Sequence, residues 1–279
     1  MTAWTEHTIE TAQGGRVAVR VYGKRSGAKP VALHLHGGAF TGGSVATSQR
    51  LPELIAEAGA VVVSAEYPLA PAHRFPDALE AMFDVLGGLQ RCCAQWVSRR
   101  SSVFVAGEES GGNLAAALAL MARDRRAALA GQILVSPMLD PVMGTCSVRS
   151  ADAGAVGCPW ADGWHAYLGS PEKAEHPYAA PLSARRLAGV APALVLTAED
   201  DPLRDECAAY AGRLHNAGVR VEHNVLPGPT GWPFALSAPA NDAVLSATWA
   251  PAVVEHLKTF FANVAAPRRA AASAVSMLA

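Results

Sequence analysis

A glutamate stands at the centre of Gly107-Glu108-Glu109-Ser110-Gly111, a pentapeptide with the glycine spacing of a nucleophile elbow. Such an elbow sets one side chain on a sharp strand-to-helix turn, with glycines on either side because a Cβ there would clash. Here the turn is expected to present a carboxylate rather than a hydroxyl. The helix N-terminus and nearby backbone N–H groups favour the charged form of Glu109, whereas burial among apolar side chains favours the protonated one. A group held between these opposed effects suits general acid–base work, such as moving a proton on a carbon beside a carbonyl. The alternative is that Glu109 hydrogen-bonds into the neighbouring N–H groups and plugs its own pocket.

Two other segments carry chemistry. His36-Gly37-Gly38-Ala39-Phe40 follows an apolar stretch, and its paired glycines can turn backbone N–H groups of Gly37 and Gly38 towards an oxyanion. The N–H of Ser110, at the helix start, is expected to join them. Asp201 precedes Pro202, which reads either as a catalytic acid or as a helix cap followed by proline at the first helical position. His34 lies within a strand and is expected to be a core histidine with its hydrogen bonds made. No spacing of His, Asp or Glu suggests a metal site, and no cofactor is expected.

These residues need a scaffold of alternating strands and helices. Apolar runs at 17–22, 31–35, 60–65, 102–106, 132–136, 193–198 and 219–226 read as strands bounded by glycine and proline. Helical stretches are expected at 45–59, 76–97, 112–123, 202–217 and 242–264. This alternation implies a mostly parallel sheet covered on both faces, with the active site at the C-terminal ends of the strands. Residues 140–182 are irregular and read as a lid insertion within a single domain spanning 1–264. Residues 265–279 read as a frayed tail.

Half of the 279 residues are apolar and the net charge is −1, so nothing marks a nucleic-acid or membrane-surface protein. The N-terminal residues lack a signal-peptide pattern, and no apolar run is long enough to span a bilayer. Five cysteines without a C-x-x-C pair argue against a disulfide framework and for a reducing cytoplasm.

The segments HLHGGAF, GEESGGNLAAALAL, 65–82, 133–140, 177–206 and 217–222 together resemble the hormone-sensitive-lipase-like, bacterial acetyl-esterase-type branch of the α/β-hydrolase fold. The match runs in order through nearly the whole chain. It implies an eight-stranded, mostly parallel sheet, a serine nucleophile at the position of Glu109 and a triad acid at Asp201. It also implies a histidine where Pro227-Gly228-Pro229-Thr230-Gly231-Trp232 has Gly231, or Thr230 after a one-residue slip. Ser110 as a substitute nucleophile would leave Glu108 at the crowded position before it. Family members carry a longer N-terminal cap than the residues before His36 provide, so an open pocket is expected. Phe40, Trp160, Trp164, Tyr167, Thr230 and Trp232 are expected to line it, with the lid aromatics alternatively forming the lid's own core.

The leading expectation is a non-hydrolytic enzyme of bacterial secondary metabolism: an epimerase, cyclase or eliminase acting on a bulky or peptidic intermediate. Glu109 would be its base or acid, with Asp201 optional and Gly37, Gly38 and Ser110 holding the oxyanion. A ligand-binding protein, as in the gibberellin receptors of the same branch, and a weak esterase using Glu109 or Ser110 are the alternatives. A small-molecule or peptide substrate is expected, and a homodimer is left open.

Overall fold

The computed structural model describes residues 3–11, 14–25, 27–92, 98, 100–151, 158–237 and 243–266. Eight strands form one sheet: β1 (Trp4–Glu10), β2 (Arg16–Tyr22), β3 (Val31–Leu35), β4 (Val61–Ala65), β5 (Val103–Glu108), β6 (Gly131–Val135), β7 (Ala193–Ala198) and β8 (Val221–Leu226). Their order is β1-β2-β4-β3-β5-β6-β7-β8. Strand β2 runs antiparallel to both β1 and β4, and every other pairing is parallel. This is the expected fold. Strand β1 was not anticipated; its WTEHTIE pattern is polar and largely exposed, so it lacks the apolar run that marks a strand.

The helices are α1 (Arg50–Glu57), α2 (Asp77–Cys92), α3 (Glu109–Asp124), α4 (Cys146–Ser150), α5 (Pro159–Leu168), α6 (Arg204–Asn216), α7 (Phe234–Ser237) and α8 (Ala243–Ala265). Alternate strand residues feed two cores. Val31, Leu33, Val61, Val63, Val103 and Val105 pack with α2, α3 and α6, whereas Ala32, Val62, Phe104 and Ala106 face α1 and α8. Most of the expected tail lies outside the described residues, as do Cys93 and the expected helical residues 93–97.

The decisive junction joins β5 to α3. The strand runs two residues beyond its expected end, to Glu108, and the helix begins at once with Glu109. Glu109 has φ +54°, in the left-handed region that a side chain of this size avoids. The flanking glycines make this turn buildable. A Cβ on Gly107 would lie 2.3 Å from the Gly111 carbonyl oxygen, and one on Gly111 would lie 2.0 Å from that of Leu35.

Candidate active site

Two adjacent glutamates point in opposite directions from the elbow. Glu108 shares a sheet face with Ala106, and β3 pairs with both neighbours so that His34 lies beside Ala106 and Ser64. That register builds a fully buried row. His34 Nδ1 meets Ser64 Oγ at 2.8 Å, and His34 Nε2 meets Glu108 Oε2 at 2.7 Å. The other Glu108 oxygen accepts the Gly37 N–H at 3.0 Å. Ser64, His34 and Glu108 thus have the order of a catalytic triad but no contact with solvent. Their role is to tie three strand ends together and hold the His36–Phe40 loop.

Glu109 turns the other way, into the space over that loop. Its Oε2 accepts the N–H of Gly38 at 2.5 Å and of Ala39 at 3.3 Å. Its Oε1 accepts the indole N–H of Trp160, on α5, at 2.6 Å. Burial pushes the carboxyl above its ordinary range, against the pull of the Gly38, Trp160 and Ala39 donors, and the neighbouring Glu108 adds to the rise. All three partners are N–H donors, and they are best served by the carboxylate. The side chain therefore occupies the cradle that the two glycines were expected to offer an external oxyanion.

This geometry revises two assignments. Gly37 is not a donor to the site, because Glu108 takes its N–H. Ala39, which sequence reasoning passed over, is a donor instead; only the loop's course reveals which N–H groups face inward. Ser110 is buried at the start of α3, with its Oγ 3.4 Å from the hydroxyl of Tyr67. Tyr67 in turn donates to the His36 carbonyl at 2.8 Å and stacks on the His36 ring. The Ser110 side chain thus belongs to the core beneath the loop.

Asp201 is buried at the end of β7. Its Oδ2 accepts the hydroxyls of Ser136, at 2.6 Å, and of Thr197, at 2.5 Å, while Oδ1 accepts the Leu203 N–H at 2.8 Å. Burial raises its carboxyl above the usual range despite those donors. The Leu203 bond closes a turn ahead of α6, which starts at Arg204 with Leu203 as its N-cap and no side-chain cap, so Asp201 does not cap the helix as expected and Pro202 lies before its first turn. Its neighbour Asp200 holds the loop after β8, accepting N–H groups of Thr230 and Gly231 and the Thr230 hydroxyl. Partial burial raises the Asp200 carboxyl, but the Gly231 and Thr230 donors outweigh it and hold it below its ordinary value.

The expected aromatic pocket divides. Phe40 and Tyr167 stack face to face with centroids 4.0 Å apart, Trp164 packs 5.0 Å from Phe40, and all three are buried. They are the core that fastens α5 to the glycine loop, not pocket walls. Thr230 is wholly buried, with its hydroxyl committed to Asp200. Trp232 is buried edge-on against Trp249 in the core on the α1–α8 face. Only Trp160 reaches the site. Its ring stacks at 5.4 Å on Phe234, which is 61% exposed, while its indole N–H holds Glu109, itself 8% exposed. Around Glu109 the described residues form a covered cradle rather than the open cleft expected.

Two further residues hold the segment 140–182 and were missed. Asn113 Nδ2 donates to the carbonyls of Met138, just before it, and Ala179, near its end. Glu206 accepts the N–H groups of Leu139 and Asp140, and burial drives its carboxyl well above the usual range. Among the described residues no group of three or more His, Cys, Asp or Glu could hold a metal, and no helix is long and apolar enough to cross a membrane.

The family profile described as alpha/beta hydrolase fold matches residues 32–230. This chain belongs to that family. It is 32% identical over 202 residues to an arylesterase of Saccharolobus solfataricus, covering 69% of this chain and 66% of the relative. It is also 32% identical over 204 residues to the gibberellin receptor GID1B of Arabidopsis thaliana, covering 69% of this chain and 57% of the receptor. The chain therefore spans less than two thirds of either relative. Among solved structures, a thermostable esterase from Pseudomonas putida superposes with a TM-score of 0.83 at 28% identity, covering 95% of this chain and 84% of the other. Relatives named as esterases overturn the expectation of a non-hydrolytic epimerase, cyclase or eliminase. The comparisons point to ester-hydrolase chemistry and lend nothing to a role in secondary metabolism.

Proposed function

We propose that this chain is an acyl-ligand-binding member of its esterase family, in which hydrolytic turnover is largely suppressed. The observation that carries this reading is the Glu109 carboxylate lodged on the Gly38 and Ala39 N–H groups and locked there by Trp160. An ester carbonyl polarised for attack needs those same donors. The resemblance places a serine at 109 and a histidine at 231, or at 230 after a one-residue slip, where this chain has Glu109, Gly231 and Thr230. A working acyl-transfer site needs both a nucleophile and a base. The test is a p-nitrophenyl acetate and butyrate assay on the wild type, run beside a titration of the same chain with the corresponding acids, acetate and butyrate. Saturable binding with no turnover above background is expected. Turnover typical of an enzyme, at roughly 1 s⁻¹ or more, overturns the proposal.

A second reading, slow ester hydrolysis through Glu109, is favoured by the names its relatives carry. The carboxylate would leave the cradle, attack the ester carbonyl carbon and expel the alkoxide, which takes a proton from water, forming a mixed anhydride that water or hydroxide then opens to the free acid and the regenerated Glu109 carboxylate. In that case Glu109→Ala abolishes turnover and Ser110→Ala does not.

A further inference from the structure

The cradle around Glu109 has three donors, and they are divided between two oxygens. Gly38 and Ala39 address one oxygen, and the Trp160 indole addresses the other. A site built for a single oxyanion would converge all its donors on one point. An ester carbonyl placed on Gly38 and Ala39 would present its alkoxy oxygen, a poor acceptor, to the Trp160 N–H. Trp160 is 4% exposed, so water could not readily replace the lost partner, and an unpaired buried donor is costly. A carboxylate satisfies all three donors.

We propose that Gly38, Ala39 and Trp160 form a carboxylate-binding site, that Glu109 is its tethered occupant, and that the site prefers carboxylic acids to esters as external ligands. The inference rests on the acyl-ligand reading above and narrows it to the acid. Trp160 is then the residue that sets this specificity. It sits on the lid helix, stacked between the site and Phe234, so a bound acid joins lid and elbow as Glu109 does in the free chain. Because Glu109 is covalently attached, it competes at high effective concentration, and the wild type binds an external acid more weakly than a chain lacking it.

Glu109→Gly empties the site while relieving the φ of +54°, which glycine adopts freely; Glu109→Ala is the second vacating variant. Each is titrated calorimetrically with sodium acetate, sodium butyrate, acetamide and methyl acetate. Both variants are expected to bind the acids at least about tenfold more tightly than wild type does, and more tightly than acetamide or methyl acetate. Adding Trp160→Phe to Glu109→Gly keeps an aromatic ring but removes the N–H, and should weaken acetate by about tenfold, the worth of one charge-assisted bond. Folded variants that bind no acid overturn the proposal, as do acetate and acetamide binding alike, or indifference to Trp160→Phe. Ester turnover by the wild type would sink the ligand-binding reading yet leave this acid preference standing, so the two failures are distinguishable.

Discussion

Three N–H donors face the Glu109 carboxyl and set its geometry, although burial raises its affinity for a proton. Glu109→Gln is nearly the same size, yet either orientation of its amide turns an NH₂ group towards an N–H donor, of Trp160 or of Gly38 and Ala39. The variant is expected to lose about 1–3 kcal/mol, because a buried donor is left facing another donor. Urea unfolding measures the loss, and the Trp160 indole proton in NMR reports whether its bond is gone. Unchanged stability with an unmoved indole resonance would mean that Trp160 does not hold Glu109 in solution. The neighbouring Glu108 shows how much one position matters: a step along the same chain sends its carboxylate to His34 and Gly37 instead.

The elements turn these residues into a site, and the lid shows how. Helix α5 is held by the Phe40–Tyr167 stack rather than by ligand contacts. The Tyr167 hydroxyl is buried without a partner among the described residues, so Tyr167→Phe should be neutral or slightly stabilising. Tyr167→Ala should cost about 3–5 kcal/mol and speed hydrogen exchange across Pro159–Leu168. A large effect of Tyr167→Phe on acyl binding with no change in stability would return the ring to the pocket. The strand–turn–helix of the elbow was legible in the sequence because glycine spacing marks close backbone approach, and the parallel strands were legible from their apolar runs. Strand β1 was not, since its polar edge lacks such a run. The roles of Ala39, Asn113 and Glu206 were not legible either, because each depends on contacts between segments distant in the chain. The lid aromatics could be read as core or as cleft from composition alone, and only packing chose between them.

At the scale of the whole molecule, burial raises the carboxyls of Glu109, Asp201 and Glu206 together. A carboxyl with a native pKa above its unfolded value binds its proton more readily in the folded chain. Its contribution is fully present below the ordinary carboxylate range and is lost as pH rises through the raised native value. Asp200 and Glu66, held below their ordinary values, act in the opposite sense and lose their contribution as pH falls. Glu206→Gln, permanently neutral and facing Asp140 and Asp201, should therefore gain stability relative to wild type as pH rises through that upper window. Parallel urea midpoints across a pH series would rule this out. The same frame invites a harder question: whether it could still run the chemistry of its relatives. Asp201 lies at the acid position of the resemblance, and Gly38 and Ala39 point N–H groups into the site. A Cβ added at Gly231 meets nothing nearer than Ala235 Cβ at 3.6 Å, so a side chain can start there, although φ +69° taxes it by about 1–2 kcal/mol. Glu109→Ser alone supplies a nucleophile without a base, and Gly231→His alone supplies a base beneath a filled cradle. Neither should raise p-nitrophenyl acetate hydrolysis. The double variant should exceed either by about 10²-fold, the lower end of what a positioned general base contributes. Should the double variant fold and stay inert, the block lies in the covered lid around Trp160 and Phe234 rather than in the two exchanged residues.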